Sequence, residues 1–253
     1  MECRMKKYPS RVLLLSFFVG LLWCGSAAAS VTMTGTRIIY NGAAKSTDIQ
    51  LKNKDRFPYV ISTWFDDGHI DNGPEQGSSV PFIATPPVFR IQPEGGQIVR
   101  VVYTGARALP QDRESLFYFN FMQMPPANVA GDASGERQNG ILVMLRNRIK
   151  FFYRPAGIEG DPQKMLQNLQ VHAVPRQGKT SISVTNNQPY HVTVSAVHLT
   201  DNASIRAQET DTIIPPFGQQ DFLLSGKARS VDKGVRITLI NDQGARISEN
   251  YPL

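Results

Sequence analysis

The chain has 253 residues, 41% hydrophobic and 9% aromatic, with 27 Lys+Arg against 21 Asp+Glu for a net charge of +6. Its only cysteines are Cys3 and Cys24, which excludes a disulfide-built scaffold beyond the first two dozen residues. So small a positive excess gives no ground for a nucleic-acid-binding surface.

Arg4, Lys6, Lys7 and Arg11 precede an apolar run from Val12 to Trp23, and Ala27-Ala28-Ala29 follows. This is the layout of a secretory signal: a basic start, an apolar middle and a small-residue cleavage site. The apolar run is too short to span a bilayer, and bulky Trp23 before Cys24 does not suit lipoprotein cleavage. Residues 1–29 are therefore expected to be removed, leaving 224 residues from Ser30, without thiols. The balance then falls to 23 basic and 20 acidic residues, a net of +3. No membrane insertion of the mature chain is expected.

Seven apolar or alternating runs come next: VTMTGTRIIY, STDIQLKN, YVISTWFD, PFIATPPVFRIQ, GQIVRVVYTG, SLFYFNFMQM and ILVMLRNRIKFFYR. Turn residues punctuate them at YNG, DNGPEQG, QPEGG and GDASGERQNG. Seven short strands in some 125 residues predict an immunoglobulin-like sandwich, with Trp64 at a place where such folds bury a tryptophan. Pro86-Pro87 cannot sit in a central ladder, so they mark an edge, a change of sheet or a surface bend. The Pro/Gly-rich segment 154–164 predicts a boundary, giving domains 30–155 and 156–253. The second half carries another strand series, LQVHAV, KTSISVTN, HVTVSAVHLT, ASIRAQ, TIIPPFGQQDFLL, GVRITLIND and ARISENY. It reads as a further small β-sandwich that does not repeat the first in sequence, with room for one helical turn within 161–168. The fold class is thus all-β, in two sandwiches.

Chemistry for catalysis is thin. His69, His172, His191 and His198 lack metal-ligand spacing, and no nucleophile elbow, metalloprotease helix motif or phosphate-cradling loop occurs. Asp66-Asp67 with Asp71 suits either a solvated hairpin tip or a calcium loop. Asn202-Ala203-Ser204 is a glycosylation sequon of a kind that chance produces. No enzyme, cofactor or metal is expected.

Residues 141–155, ILVMLRNRIKFFYRP, carry the strongest functional signal. Alternation along a strand puts Ile141, Val143 and Leu145 on one face and Leu142 and Met144 on the other. A two-sheet sandwich has a single interior, so one row is either covered by another layer of the molecule or reserved for a partner. Arg146, Arg148 and Lys150 share one parity. They suit a solvated rim equally with an anion site, where one Lys and one Arg would clasp a chain-terminal carboxylate.

LPQDRESLFYFNF (109–121), ATPPVFRI (84–91), IKFFYRP (149–155) and LINDQG (239–244) together resemble the periplasmic pilus chaperones, the PapD-like family of the chaperone–usher pathway. The resemblance spans both domains. It implies a boomerang of two immunoglobulin-like domains with an inter-domain cleft, located in the periplasm. It implies a chaperone that binds pilin (fimbrial) subunits by donor-strand complementation and delivers them to an outer-membrane usher. Ile141, Val143 and Leu145 would fill the groove of the subunit, with polar Asn147 at the next inward position. Arg37 and Lys150 would anchor the carboxylate that ends the pilin chain, and Glu114, Arg154 and Asp242 would tie the domains as a charged trio. The loop 125–140, without cysteines, resembles the short-loop branch that serves rod-like pili. Self-association of the free protein would hide the apolar row. The competing reading is a structural or adhesive two-domain β-sandwich in which 141–145 are internal core.

Overall fold

The computed structural model describes residues 30–71, 73–74, 80–126, 142–176, 179–207, 211–225 and 234–253. Ile141 and the expected signal segment 1–29 lie outside them. Among the described residues nine strands build the first sandwich: β1 (Val31–Met33), β2 (Arg37–Asn41), β3 (Thr47–Asn53), β4 (Tyr59–Asp66), β5 (Phe82–Thr85), β6 (Val88–Ile91), β7 (Gly96–Tyr103), β8 (Ser115–Met124) and β9 (Leu145–Arg154). One sheet runs β1-β3-β7-β5 and the other β2-β9-β8-β4-β6. β2 lies parallel to β9, whereas the other described pairs of this sandwich are antiparallel.

Period-two alternation explains the core. In β3, Ile49, Leu51 and Asn53 are buried while Asp48, Gln50 and Lys52 are exposed. Phe82 of β5 lies at the centre of an aromatic cluster, with ring centroids 4.8 Å from Phe151 and 5.4 Å from Phe117. Contacts at such distances, edge-on in both pairs, add to the area that the rings bury.

Two of the predicted runs divide between sheets. VTMTGTRIIY becomes β1 in one sheet and β2 in the other, with Gly35 at φ +88° between them. PFIATPPVFRIQ breaks at Pro86-Pro87 into β5 and β6, again in different sheets. The prolines, which cannot donate to a ladder, are where the chain changes sheet. Trp64 is buried but stands outside the core cluster. Parity gives the inward position to Phe65, and Trp64 lies on the opposite face beneath Arg146, whose guanidinium is 5.0 Å from its ring.

The second sandwich comprises β10 (Leu169–Arg176), β11 (Lys179–Asn186), β12 (Val192–Leu199), β13 (Thr212–Ile214), β14 (Gln219–Leu223), β15 (Val235–Ile240) and β16 (Arg246–Tyr251), in sheets β10-β11-β14 and β13-β12-β15-β16. A 3-10 turn at Pro162–Lys164 opens it, capped by the Asp161 side chain. The described residues of the run ASIRAQ, 203–207, form isolated bridges, His198 with Arg206 and Ala207 with Leu224.

A repeat joins the two halves that the letters hide. Asn53 and Asn186 are both 0% exposed. The Asn53 amide donates to the carbonyls of Phe57 (2.8 Å) and Gln92 (2.9 Å), and its oxygen accepts the Asp55 N–H. The Asn186 amide donates to Tyr190 (2.7 Å) and Pro215 (2.9 Å), and its oxygen accepts the Gln188 N–H. Each plug also anchors a turn, QPEG or PPFG, whose third residue, Glu94 or Phe217, has φ 54° or 56°.

Asn53→Ala or Asn186→Ala removes donors from two carbonyls, at a cost of about 3 kcal/mol. In native-state hydrogen exchange, Asn53→Ala is expected to lose protection in β3 and β7 and to leave β11 and β14 as they were; Asn186→Ala should do the reverse.

Candidate functional site: a strand edge, a cationic cleft and a domain joint

β9 has two faces with different destinations. Phe151 and Tyr153 enter the first core with Ile149 against it, so by alternation Arg146, Arg148, Lys150, Phe152 and Arg154 point the other way. On one side β8 pairs with β9 from Leu145 to Tyr153. On the other side β2 pairs only from Lys150 to Arg154. Residues 145–149 therefore present backbone groups on an edge with no strand partner among the described residues. Leading into them, Leu142, Val143 and Met144 are 54, 62 and 53% exposed, and Leu145, the first of the edge, is 48% exposed. Val143 and Leu145 are thus surface residues, not internal core. Asn147, which follows them on the same parity, is half-buried.

The cations do not act as one group. Asp66, at the end of β4 with its side chain 0% exposed, takes both Arg148 and Arg146. Arg148 Nε donates to it over 3.0 Å, and the Arg148 guanidinium also lies 3.4 Å from the Tyr118 ring centroid. The Asn120 amide donates to Asp66 (2.7 Å), while its oxygen accepts Arg146 Nε (3.0 Å). Burial works against the Asp66 carboxylate. The hydrogen bonds from Arg148, Asn120 and the Gly68 N–H outweigh it and hold the group below the ordinary carboxylate range. Asp66 therefore serves as a buried acceptor for guanidinium groups, and neither the solvated hairpin tip nor the calcium loop describes it.

Lys150 is left over. It sits in register with Arg37 across the parallel β2–β9 pair and makes no hydrogen bond or ion pair among the described residues. Burial and then the Arg37 charge pull its pKa below the lysine norm, with Asp211 acting weakly in the other direction. Arg37 is fixed from below and beyond: its guanidinium lies 5.8 Å from the Phe152 ring centroid and donates to the Ile240 carbonyl over 2.9 Å. Its Nε is buried without an acceptor among the described residues. Two adjoining, poorly hydrated cations with spare donors favour an anion.

The joint between the sandwiches is a closed network. Glu114 Oε1 accepts Arg154 Nε (3.1 Å) and a terminal nitrogen (2.8 Å), and Arg154 also reaches Asp242 over 2.9 Å. Glu114 Oε2 accepts the His191 N–H (2.9 Å) and meets His191 Nδ1 (3.0 Å). The Glu114 N–H donates to the Pro189 carbonyl, and Arg154 lies over Tyr190. The trio is not a set of solvent-screened surface pairs, because the Glu114 side chain is 1% exposed and Arg154 17%. A buried carboxylate with three sets of donors is a structural group. On the flank, Arg113 stacks 5.1 Å from exposed Phe217.

His191, Phe152 and the Ile240 carbonyl escaped the sequence reading. Parity sends Phe152 away from the first core, between Arg37 and the His191 ring (5.6 Å). Gly244 of LINDQG also has a role there: φ is +82°, and a Cβ would come within 2.5 Å of Thr36 Oγ1 in the first domain. That hairpin thus supplies Ile240, Asp242 and Gly244 to one contact.

Two immunoglobulin-like sandwiches, locked edge to edge beside a cationic cleft and an open apolar strand, define a two-domain binding protein. Family models agree: the PapD N-terminal domain, a pili and flagellar-assembly chaperone, matches residues 30–159, and the pili assembly chaperone PapD C-terminal domain matches 164–251. The chain belongs to this family of pilus-assembly chaperones. It is 37% identical over 244 residues to the probable fimbrial chaperone YadV of Escherichia coli K12, covering 94% of this chain and 96% of that protein. It is 35% identical over 223 residues to the chaperone protein HifB of Haemophilus influenzae, covering 87% and 86%. The crystal structure of the YadV chaperone superposes with a TM-score of 0.71 at 31% identity, covering 89% of this chain and all of that one.

Arg154→Ala strands Glu114 and is expected to cost about 3 kcal/mol in urea denaturation, since half of a buried pair is costlier than none. Because the folded Asp66 pKa is lowered, the stability it contributes is present above the ordinary carboxylate range and is lost as pH falls through the folded value. The stability gap between wild type and Asp66→Asn should therefore be full at pH 7 and close in acid, as denaturation across a pH series would measure.

Proposed function

We propose that this protein is a non-enzymatic periplasmic chaperone that binds and stabilises pilin subunits by donor-strand complementation and delivers them to an outer-membrane usher. The observation that carries this reading is a run of large exposed apolar side chains entering an unpaired strand edge, which leads to Lys150, without a partner among the described residues, and to Arg37, whose Nε has no acceptor among them. Strand addition fits such an edge: backbone hydrogen bonds give affinity and alternate side chains fill pockets, as in known chaperone–pilin complexes. Val143 and Leu145, with Ile141 before them, are the groove residues. Burying each contributes about 1.5–3 kcal/mol before binding costs. Lys150 and Arg37 clasp the carboxylate that ends the pilin chain, where each charged hydrogen bond contributes about 1.5–3 kcal/mol. Glu114, Arg154 and Asp242 set the angle of the cleft. The names of the relatives, a probable fimbrial chaperone and a chaperone protein, support the same role. Removal of residues 1–29 after export, a pilin-binding domain over 30–155 and a second domain over 156–253 belong to this reading, as does self-association of the free protein. The loop before β9 falls outside the described residues from 127 to 141, and its branch assignment rests on the sequence alone.

Periplasmic co-expression of the tagged chain with the fimbrial subunits of its own host, followed by pull-down, tests this. Lys150→Ala and Arg37→Ala should each lose the pilin at least tenfold while remaining folded; undiminished recovery with both would sink the anchor. Leu145→Glu is expected to shift Tm by under about 2 °C, as surface substitutions do, yet to abolish capture. Normal capture by Leu145→Glu would remove the groove assignment.

A further inference from the structure

The open end of β9 poses a mechanical question. From 145 to 149 it has β8 on one side and no described strand on the other. Arg146 and Arg148 add a like-charge pair on one face, followed on the same face by Lys150. Left alone, such an edge would fray and twist away. A frayed strand would have to be ordered again at each encounter with a partner.

What opposes fraying is lateral. Asn120 on β8 and Asp66 on β4, the next two strands of the sheet, reach the guanidinium groups of Arg146 and Arg148 through the contacts given above, and both guanidinium groups lie over aromatic rings, Trp64 and Tyr118. Arg146 also donates to the Ile70 carbonyl over 2.5 Å. These contacts occupy only the outward face. The opposite face, with Val143 and Leu145, and the free backbone edge remain open. Asp66 is 1% exposed and Asn120 0%, so the clamp is built into the sheet.

We propose that Asp66, with Asn120, is a positioning residue for the capture of pilins: it clamps Arg146 and Arg148 so that residues 145–149 stand extended and ready before a partner arrives. This rests on the donor-strand reading above and deepens it. The role is pre-organisation, so its effect falls on association. Once a pilin strand pairs with the edge, the complex itself holds β9 in place. A second consequence follows from charge. With Asp66 taking both arginines, Lys150 is the one of these three cations left to stand beside Arg37.

The test begins on the free chain, by hydrogen exchange of the 145–149 amides. Asp66→Asn and Arg148→Gln should each raise exchange there about tenfold. The double variant should do no more than Asp66→Asn alone, because the Arg148 contact ends on the carboxylate that this variant already removes. Damage spread through the fold would instead add in the double variant and appear in β3 and β7 as well. Capture of the pilin recovered with the wild-type chain is then timed by stopped flow. The association rate should fall about fivefold, with dissociation of the formed complex changed less than twofold. Unchanged exchange at 145–149, additive effects, or a change confined to dissociation would each overturn the proposal. Should Asp66→Asn fail to fold, Arg148→Gln, on the part-exposed partner, decides alone by the same readings. The exchange arm involves no pilin, so normal capture by Leu145→Glu would defeat the parent reading while leaving the clamp itself standing or falling on its own data.

Discussion

A mismatch in strand length governs this molecule. β2 meets β9 only from Arg37 onward, because the chain reaches that sheet after a left-handed turn at Gly35. The inner half of β9 is therefore sealed between two strands, and its outer half has one neighbour. The same register places Arg37 beside Lys150 at the point where the seal begins. The pair of cations and the open edge thus share an origin: both are set by where β2 begins. Shifting β2 by one residue along β9 would turn Arg37 to the other face and separate the two cations.

Around this point the side chains sort by parity. Inward positions of β9 fill the aromatic core of the first sandwich. Outward positions do three jobs in sequence: Arg146 and Arg148 bind Asp66, Lys150 and Phe152 adjoin Arg37, and Arg154 closes the joint with Glu114 and Asp242. One strand therefore connects the open edge, the Arg37–Lys150 pair and the joint between the sandwiches. Arg37 adds a direct link, since its acceptor, the Ile240 carbonyl, belongs to the second sandwich.

Much of this was legible in the sequence, and the failures have physical causes. Alternation and turn residues pointed to the all-β class and two sandwiches, because both are local properties of the chain. Motifs supplied Arg37, Lys150, Glu114, Arg154 and Asp242, which the structure brings into one region. Sheet switching was only partly visible: the two prolines announced one crossing, while the crossing at Gly35 lay inside what looked like a single run. The partners of Arg146 and Arg148 could not be read, since Asp66 is some 80 residues away and resembled a hairpin tip. His191 gave no signal, because a lone histidine beside a valine-rich strand is ordinary; it became informative only once Glu114 was seen to be buried.

The twin asparagine plugs have a further implication. Each fixes a tight loop from behind through main-chain carbonyls alone, so the residue at the loop's left-handed position is spared any part in holding the shape. Glu94 leaves that position to solvent, while Phe217 uses it to slide an aromatic ring under Arg113 from the other sandwich. Duplicated scaffolding thereby released one tip for bracing the two halves against each other, and variation at 217 should retune that brace without unravelling the loop that bears it.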